Sequence, residues 1–253
     1  MKKLFFFLCI LSSTIFVAQT NTKILFDNAN LLYKEGKFEE AIKIYKEIEA
    51  KDSISSTLYY NLGNSYYKLN KVASTIYNYE KALLLDPLNK DAANNLEFAK
   101  RMTIDNIEEL PKTFLQRLEI NYLQKLSYNQ WAILTIVFSF LAAVLFLLFY
   151  FSTISNKKRI YFLTSILSFF LLIISLFTTY HQYQKAINTK YAIVFSAKTP
   201  VNNAPTLNSD VVFELHEGTK ISVLYAVDNW KKLQLEDGKI GWISADDIKM
   251  LTD

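Results

Sequence analysis

Residues 131–151 read WAILTIVFSFLAAVLFLLFYF and residues 160–180 read IYFLTSILSFFLLIISLFTTY, with STISNKKR between them. Each run is 21 residues long and carries no charged side chain. A helix rises about 1.5 Å per residue, so either run spans the roughly 30 Å of hydrocarbon in a bilayer. Helices of soluble cores rarely hold so long an uncharged stretch, and the pair reads as a transmembrane hairpin. Lys157, Lys158 and Arg159 make the 152–159 turn the densest basic cluster of the chain. The positive-inside bias puts that turn in the cytoplasm and both flanks on the far side. The polar residues of the runs are hydroxyls, with Ser139/Ala143 and Thr164/Ser168 spaced for close helix packing. Neither run holds an ionisable group for a proton relay or an ion path, which favours an anchor over a transporter.

Outside the hairpin the 253 residues leave an arm on each side. Residues 19–100 carry 11 Lys/Arg and 11 Asp/Glu, and residues 190–253 carry 7 against 9. The net charge of +4 therefore sits at the N-terminus and beside the apolar runs. Topology accounts for it, and no nucleic-acid partner is called for. The single cysteine, Cys9, lies in the leader, so the rest of the chain has no disulfide, thiol nucleophile or thiolate metal site.

Residues 1–18 (MKKLFFFLCILSSTIFVA) join a Lys2-Lys3 start to an apolar run ending at Ala18. They read as a secretory signal peptide. Phe16, bulky at the −3 position, keeps an uncleaved anchor as the alternative. A lipoprotein site at Cys9 would want small residues where Phe6, Phe7 and Leu8 stand. Cleaved or not, the leader exports Gln19 onward, in agreement with the hairpin.

The first arm contains a repeat of 34 residues. In unit 56–89, Tyr59, Leu62, Gly63, Tyr66, Tyr79, Ala82 and Pro87 fall at positions 4, 7, 8, 11, 24, 27 and 32. Unit 22–55 places Ala29, Leu32, Ala41 and Tyr45 at 8, 11, 20 and 24. The spacing resembles a tetratricopeptide repeat, in which small residues let two helices approach and large ones fill the gaps. Asn28 at position 7, Thr75 at 20 and Ser53 in place of proline depart from it. Residues 90–101 continue the phase as a capping helix, giving an all-α solenoid over 19–101. The resemblance implies a peptide groove on the first helices of the units, at positions 5, 9 and 12. Here these are Phe26, Asn30, Tyr33, Tyr60, Asn64 and Tyr67, with Phe98 and Arg101 from the cap. Rings offer rigid contact area, and asparagines bond peptide backbone. Relatives that grip a C-terminal carboxylate pair two asparagines with basic residues. Asn30 and Asn61 fit that pattern, but Phe26, Asp91 and Asn95 stand at the basic places, which speaks against a carboxylate clamp. Exposure or contact with the next helix is the alternative role for the groove residues.

Residues 102–130 form a linker broken by Pro111, after which Leu115, Leu118, Tyr122 and Leu126 recur at helical spacing. Such a helix suits the bilayer surface, a continuation into the first span, or a face of the repeats. After a polar connector, 181–189, the texture changes to short strands: YAIVFS, VVFEL, KISVLYAV, KKLQLE and KIGWIS. Five strands in residues 190–253 predict a small all-β barrel. The runs LHEGTKISVL and NWKKLQLEDGKIGWIS, closing on DDIKML, resemble a bacterial SH3-like domain. Its landmarks are Gly218, Trp230, Gly238, Gly241 and Trp242.

His181 and His216 have no catalytic or metal-binding pattern around them, and no phosphate loop or nucleophile elbow is present. The reading is a non-enzymatic multidomain membrane protein without a cofactor. The order of leader, repeats, two spans and SH3-like domain resembles the BatE family of the Bacteroides-type aerotolerance operon. That resemblance implies a multi-pass protein of the inner membrane with both arms in the periplasm. It also implies partners with von Willebrand A-type domains, a MoxR-type ATPase, and a scaffold's role in stress tolerance. The alternative is an envelope sensor or peptidoglycan-binding module acting through the SH3-like domain.

Overall fold

The computed structural model describes residues 22–51, 53–108 and 110–252, so the 1–18 leader lies outside the described residues. The chain divides into two compact units: the repeats with the C-terminal sheet, and the segment 109–190 with residues 86–88.

In the first unit, α1 (22–34) and α2 (Phe38–Glu49) form one helical pair, and α3 (Ser56–Lys68) and α4 (Val72–Leu85) the second. Helix α5 (Lys90–Lys100) begins a third pair, and the chain after Arg101 leaves the helix without supplying its second member. The caps keep the repeat period. Ser55 Oγ accepts from the Leu58 N–H at 3.1 Å, and Asn89 Oδ1, 34 residues on, accepts from the Ala92 N–H at 3.0 Å. Gly63 is small because the Tyr79 ring lies on it; an added Cβ would come within 2.5 Å of that ring. Ala29, Ala41, Tyr45, Leu58, Leu62 and Ala82 are buried in the resulting core. Thr75 replaces the usual alanine without harm, since its hydroxyl donates to the Lys71 carbonyl at 2.8 Å.

The C-terminal part holds seven strands: β1 (Lys190–Val194), β2 (Lys198–Asn202), β3 (Val211–His216), β4 (Lys220–Val227), β5 (Trp230–Gln234), β6 (Ile240–Ser244) and β7 (Ile248–Met250). They form one antiparallel sheet in the order β3-β2-β6-β5-β4-β1-β7. Two expectations are corrected. The sheet has seven strands and not five, and it is open between β3 and β7, not a closed barrel. The overlooked strands are the three-residue β7 and β2, whose Pro200 reads as a turn. Strand β2 pairs along its whole length with β3 but meets β6 only at Asn202, leaving a free flank where a residue without an N–H is tolerated.

Strand β1 packs on both of its faces. Ala192 and Val194 point into the sheet's own core, with Val201, Ile221, Leu233 and Ile243. Ile193 points the other way, into a cluster with Ala73, Ile76 and Tyr77 of α4 and Leu96 and Ala99 of α5. Leu251 joins it after β7, with Tyr191 and Phe195 at its border. One face of β1 thus packs on the helices and the other in the sheet, and the continuous apolar run YAIVF reflects a strand buried on both faces.

The second unit holds α6 (Phe114–Leu118), a π-helical turn (Glu119–Leu123), α7 (Tyr128–Phe151) and α8 (Ser155–Asn188). The amphipathic helix read after Pro111 is thus short. Both α7 and α8 are long and apolar enough to cross a membrane, by length and composition. The loop between them is 152–154, shorter than the 152–159 turn, and the basic triplet occupies the first turns of α8. The 181–189 connector is helical as far as Asn188. Its side chains hold it there: Lys185 pairs with Glu119 at 2.7 Å, Gln182 donates to the Leu123 carbonyl, and Tyr183 meets Tyr128 edge-on. A capping box of Ser127 and Gln130 starts α7. Between α7 and α8 the seam is made by Thr135, which donates to Ser175 Oγ at 3.1 Å, and by Ser168, which donates to the Phe138 carbonyl at 3.2 Å. Ser139 and Ala143 are exposed and lie off the seam, whereas Ser168 is buried in it.

Candidate functional site

The first helices of the successive pairs, α1, α3 and α5, carry one polar motif twice. Asn30 Oδ1 accepts from the Tyr45 hydroxyl at 2.6 Å and from Asn61 Nδ2 at 2.9 Å. Asn64 Oδ1, one period later, accepts from Tyr79 at 2.7 Å and from Asn95 Nδ2 at 2.9 Å. Each triad ties the helix of its asparagine to the following two helices, and the 34-residue period copies it without change. Burial pushes the Tyr45 hydroxyl up to about 12 and raises that of Tyr79 as well, so both stay protonated and donate. With the oxygen of Asn64 so engaged, its amide nitrogen is the polar group left for a ligand.

Beside the second triad lies a cleft of roughly 200 Å³ lined by Tyr33, Asn64, Tyr67, Lys68, Tyr79, Asn95 and Phe98. Tyr67 and Phe98 are exposed at its rim, and the Arg101 guanidinium lies 5.2 Å from the Phe98 ring. No carboxylate lines the cleft, and Lys68 is its one charge. Rings, amides and a single cation suit an extended peptide with an apolar side chain and an acceptor or anionic group beside it.

The residues expected for a groove divide accordingly. Tyr33, Asn64, Tyr67 and Phe98 meet around the cleft, and Arg101 stands next to it. Phe26 and Tyr60 instead pack on the tyrosines of their own repeats, at ring distances of 5.8 Å from Tyr45 and 6.1 Å from Tyr79. Asn30 sits in the first triad, outside the cleft. Two lining residues, Lys68 and Tyr79, lie outside the expected groove set, and a third, Asn95, is expected only as standing where clamp relatives carry a basic residue. Lys68 is four residues after Asn64 on the same helix face. Tyr79 was expected only as a core ring, and Asn95 repeats Asn61 at one period's distance.

On the sheet, Asn202, Trp242, Lys232 and Tyr225 follow one another across β2, β6, β5 and β4 as direct pairing partners. The Tyr225 ring stands edge-on to Trp242 at 5.2 Å, with the Lys232 ammonium 5.2 Å and 5.9 Å from the two rings. Trp242 is buried under this cover and Trp230 is half-buried. Gly238 lies in the β5–β6 turn, and Gly241 lies under Val201. Gly218 is buried against Val72, Ile76 and Thr103, so that this landmark belongs to the contact with the repeats.

Two family models match the chain. A TPR repeat covers residues 29–70, and a bacterial SH3 domain covers residues 201–249. The first spans most of α1 through α3, and the second all of β3 to β6 with parts of β2 and β7. No curated protein matches the sequence.

Proposed function

We propose that the chain is a non-enzymatic scaffold anchored in the bacterial inner membrane, which holds a peptide segment of a partner protein in the α1–α3–α5 cleft. The observation that carries this reading is the cleft itself: exposed rings, a free amide and one cation, on a fold used for protein–protein contact. The outer faces of α7 and α8 support the anchor, since no residue of α7 is buried and the buried residues of α8 are three hydroxyls. The positive-inside bias of the 157–159 cluster favours a periplasmic position for both arms. Resemblance to the BatE family supplies the expected partners, membrane proteins with von Willebrand A-type domains and a MoxR-type ATPase. The test is co-purification from detergent-solubilised membranes. Replacing Tyr67 and Phe98 together by alanine removes the bound partner; retention of every partner by that variant would exclude the cleft.

A second reading rests on the row Tyr225–Lys232–Trp242 and on the matched bacterial SH3 domain, which fits an envelope module holding peptidoglycan. Aromatic rings stack on sugar faces and a lysine meets a carboxylate. Co-sedimentation of the full protein with purified cell-wall sacculi, abolished by Lys232→Ala with Tyr225→Ala, is the expected result. Absence of co-sedimentation removes this reading and leaves the first intact.

A further inference from the structure

Helix α5 supplies Asn95 and Phe98 to the cleft, yet it has only 11 residues and no second helix of its own pair behind it. A helix of that length is marginal in water and draws its stability from packing. Part of that packing comes from the repeats, through Ala92. The rest comes from a mixed cluster: Leu96 and Ala99, 5% and 0% exposed, share it with Ala73, Ile76, Tyr77 and Tyr79 of α4 and with Ile193 and Leu251 of the C-terminal sheet. The opposite stripe of α5, with Lys90, Asp91, Asn94 and Glu97, faces solvent. A sheet thus covers the end of the solenoid, where a terminal repeat would otherwise need a polar face.

Polar contacts of high specificity fix the sheet in that place. Lys220 of β4 pairs with Glu80 of α4 at 2.6 Å, with side chains 26% and 8% exposed, and its ammonium lies 4.7 Å from the Tyr191 ring. Asp105, in the non-helical strap after α5, receives the His216 N–H at 2.7 Å and the Thr219 hydroxyl at 2.6 Å. Its other oxygen lies 2.7 Å from His216 Nδ1. The same strap places Ile107 on the core of the sheet. The ion pair and the bonds of Asp105 to His216 and Thr219 each join residues more than 100 positions apart, and together they hold the sheet against α4 and the strap on either side of α5.

We infer that the C-terminal sheet is the closing half-repeat of the solenoid, and that it governs the cleft by holding α5, so that docking of the sheet and occupancy of the cleft are coupled. Undocking exposes Ile76, Tyr77, Leu96 and Ala99, loosens α5 and takes Asn95 and Phe98 out of the site. By linkage, a ligand that holds α5 through those two residues strengthens docking by the same factor. The ligand half of this inference rests on the reading of the cleft as a binding surface; the structural half does not.

Hydrogen–deuterium exchange with mass spectrometry on the full chain in detergent tests the structural half without a ligand. Lys220→Glu sets two carboxylates against each other in a buried place. The expected result is exchange at least tenfold faster in 90–100 and in β1, with α2 and β5 as protected as before. Adding Glu80→Lys returns α5 to near its original protection. Fast exchange in β1 with α5 unchanged overturns the inference, and so does an unchanged pattern throughout. If Lys220→Glu strips protection from α2 as well, the milder Asp105→Asn decides on the same readout. Faster α5 exchange supports the coupling, and wild-type exchange in α5 refutes it. Because no ligand enters, a failure of the cleft as a binding site leaves these outcomes readable.

Discussion

Lys220 and Glu80 stand 140 residues apart in the sequence and meet at 2.6 Å, the ammonium on a strand and the carboxylate on a helix of the repeats. Desolvation lowers the Lys220 pKa, but the Glu80 charge and hydrogen bond outweigh it, and the net direction is upward. The pair joins two folds that the sequence presents as separate modules.

Truncating one partner of this pair is costlier than replacing both. Lys220→Ala leaves Glu80 buried without a counter-charge, and such losses run to about 3–5 kcal/mol. The double change Lys220→Met with Glu80→Gln is expected to cost far less. Local opening free energies from native-state hydrogen exchange in α4 and β4 measure both.

Acid weakens the strap. Burial works against the Asp105 charge, but the bonds from Thr219 and His216 more than compensate and lower its pKa. Its contribution is therefore complete above the ordinary aspartate range, about pH 4, and is lost as pH falls through the lowered folded value. The protection factors of amides 216–219, exchange measured relative to the intrinsic rate at each pH, should fall on acidification in the wild type. In Asp105→Asn they should be low already at neutral pH and change little with acid.

Gly218 has φ +89°, and a Cβ there would lie 2.9 Å from Val72 Cγ1 and from Thr103 Cγ2. Gly218→Ala combines a left-handed backbone with a clash at the docking surface. Overpacking of this kind costs roughly 1–3 kcal/mol, and the strained φ adds to it. Thermal melts that follow the sheet and the repeats by separate probes should show both shifted downward.

The two Asn–Tyr–Asn triads predict equivalent losses at equivalent places. Tyr45→Phe and Tyr79→Phe each remove one donor from an asparagine oxygen, at a cost of about 0.5–1.5 kcal/mol. Only Tyr79→Phe touches the cleft, so partner binding should weaken in that variant and not in Tyr45→Phe.

In the hairpin, Ser168→Leu places bulk in a buried seam where the hydroxyl meets the Phe138 carbonyl, whereas Ser139→Leu adds bulk to an exposed face. The first is expected to lower the aggregation temperature in detergent, and the second to leave it within a degree or two, as is usual for surface changes.

The sequence by itself determined every feature that rests on local spacing. The 34-residue phase set which helices pair and which small and large residues meet between them, because helix packing depends on the side chains at fixed places along each helix. The uncharged runs of α7 and α8 and most strands were equally legible as periodicity. Local spacing failed where a partner lay far along the chain. Nothing in the local stretch YEKALLL marks Glu80 for burial, and it is buried where Lys220 arrives from β4. Residues 181–188 read as a connector and are helical because Glu119, Leu123 and Tyr128 hold them. The sheet reads as a closed barrel of five strands and is open, with seven: β2 tolerates Pro200 at a free flank, and the short β7 pairs with β1 from the far end of the domain. The cleft follows the same division. The sequence supplied its rings and amides, and only the tertiary structure decided which of them meet, since α5 packs in a cluster shared with α4 and with Ile193 and Leu251, more than 90 residues further along the chain.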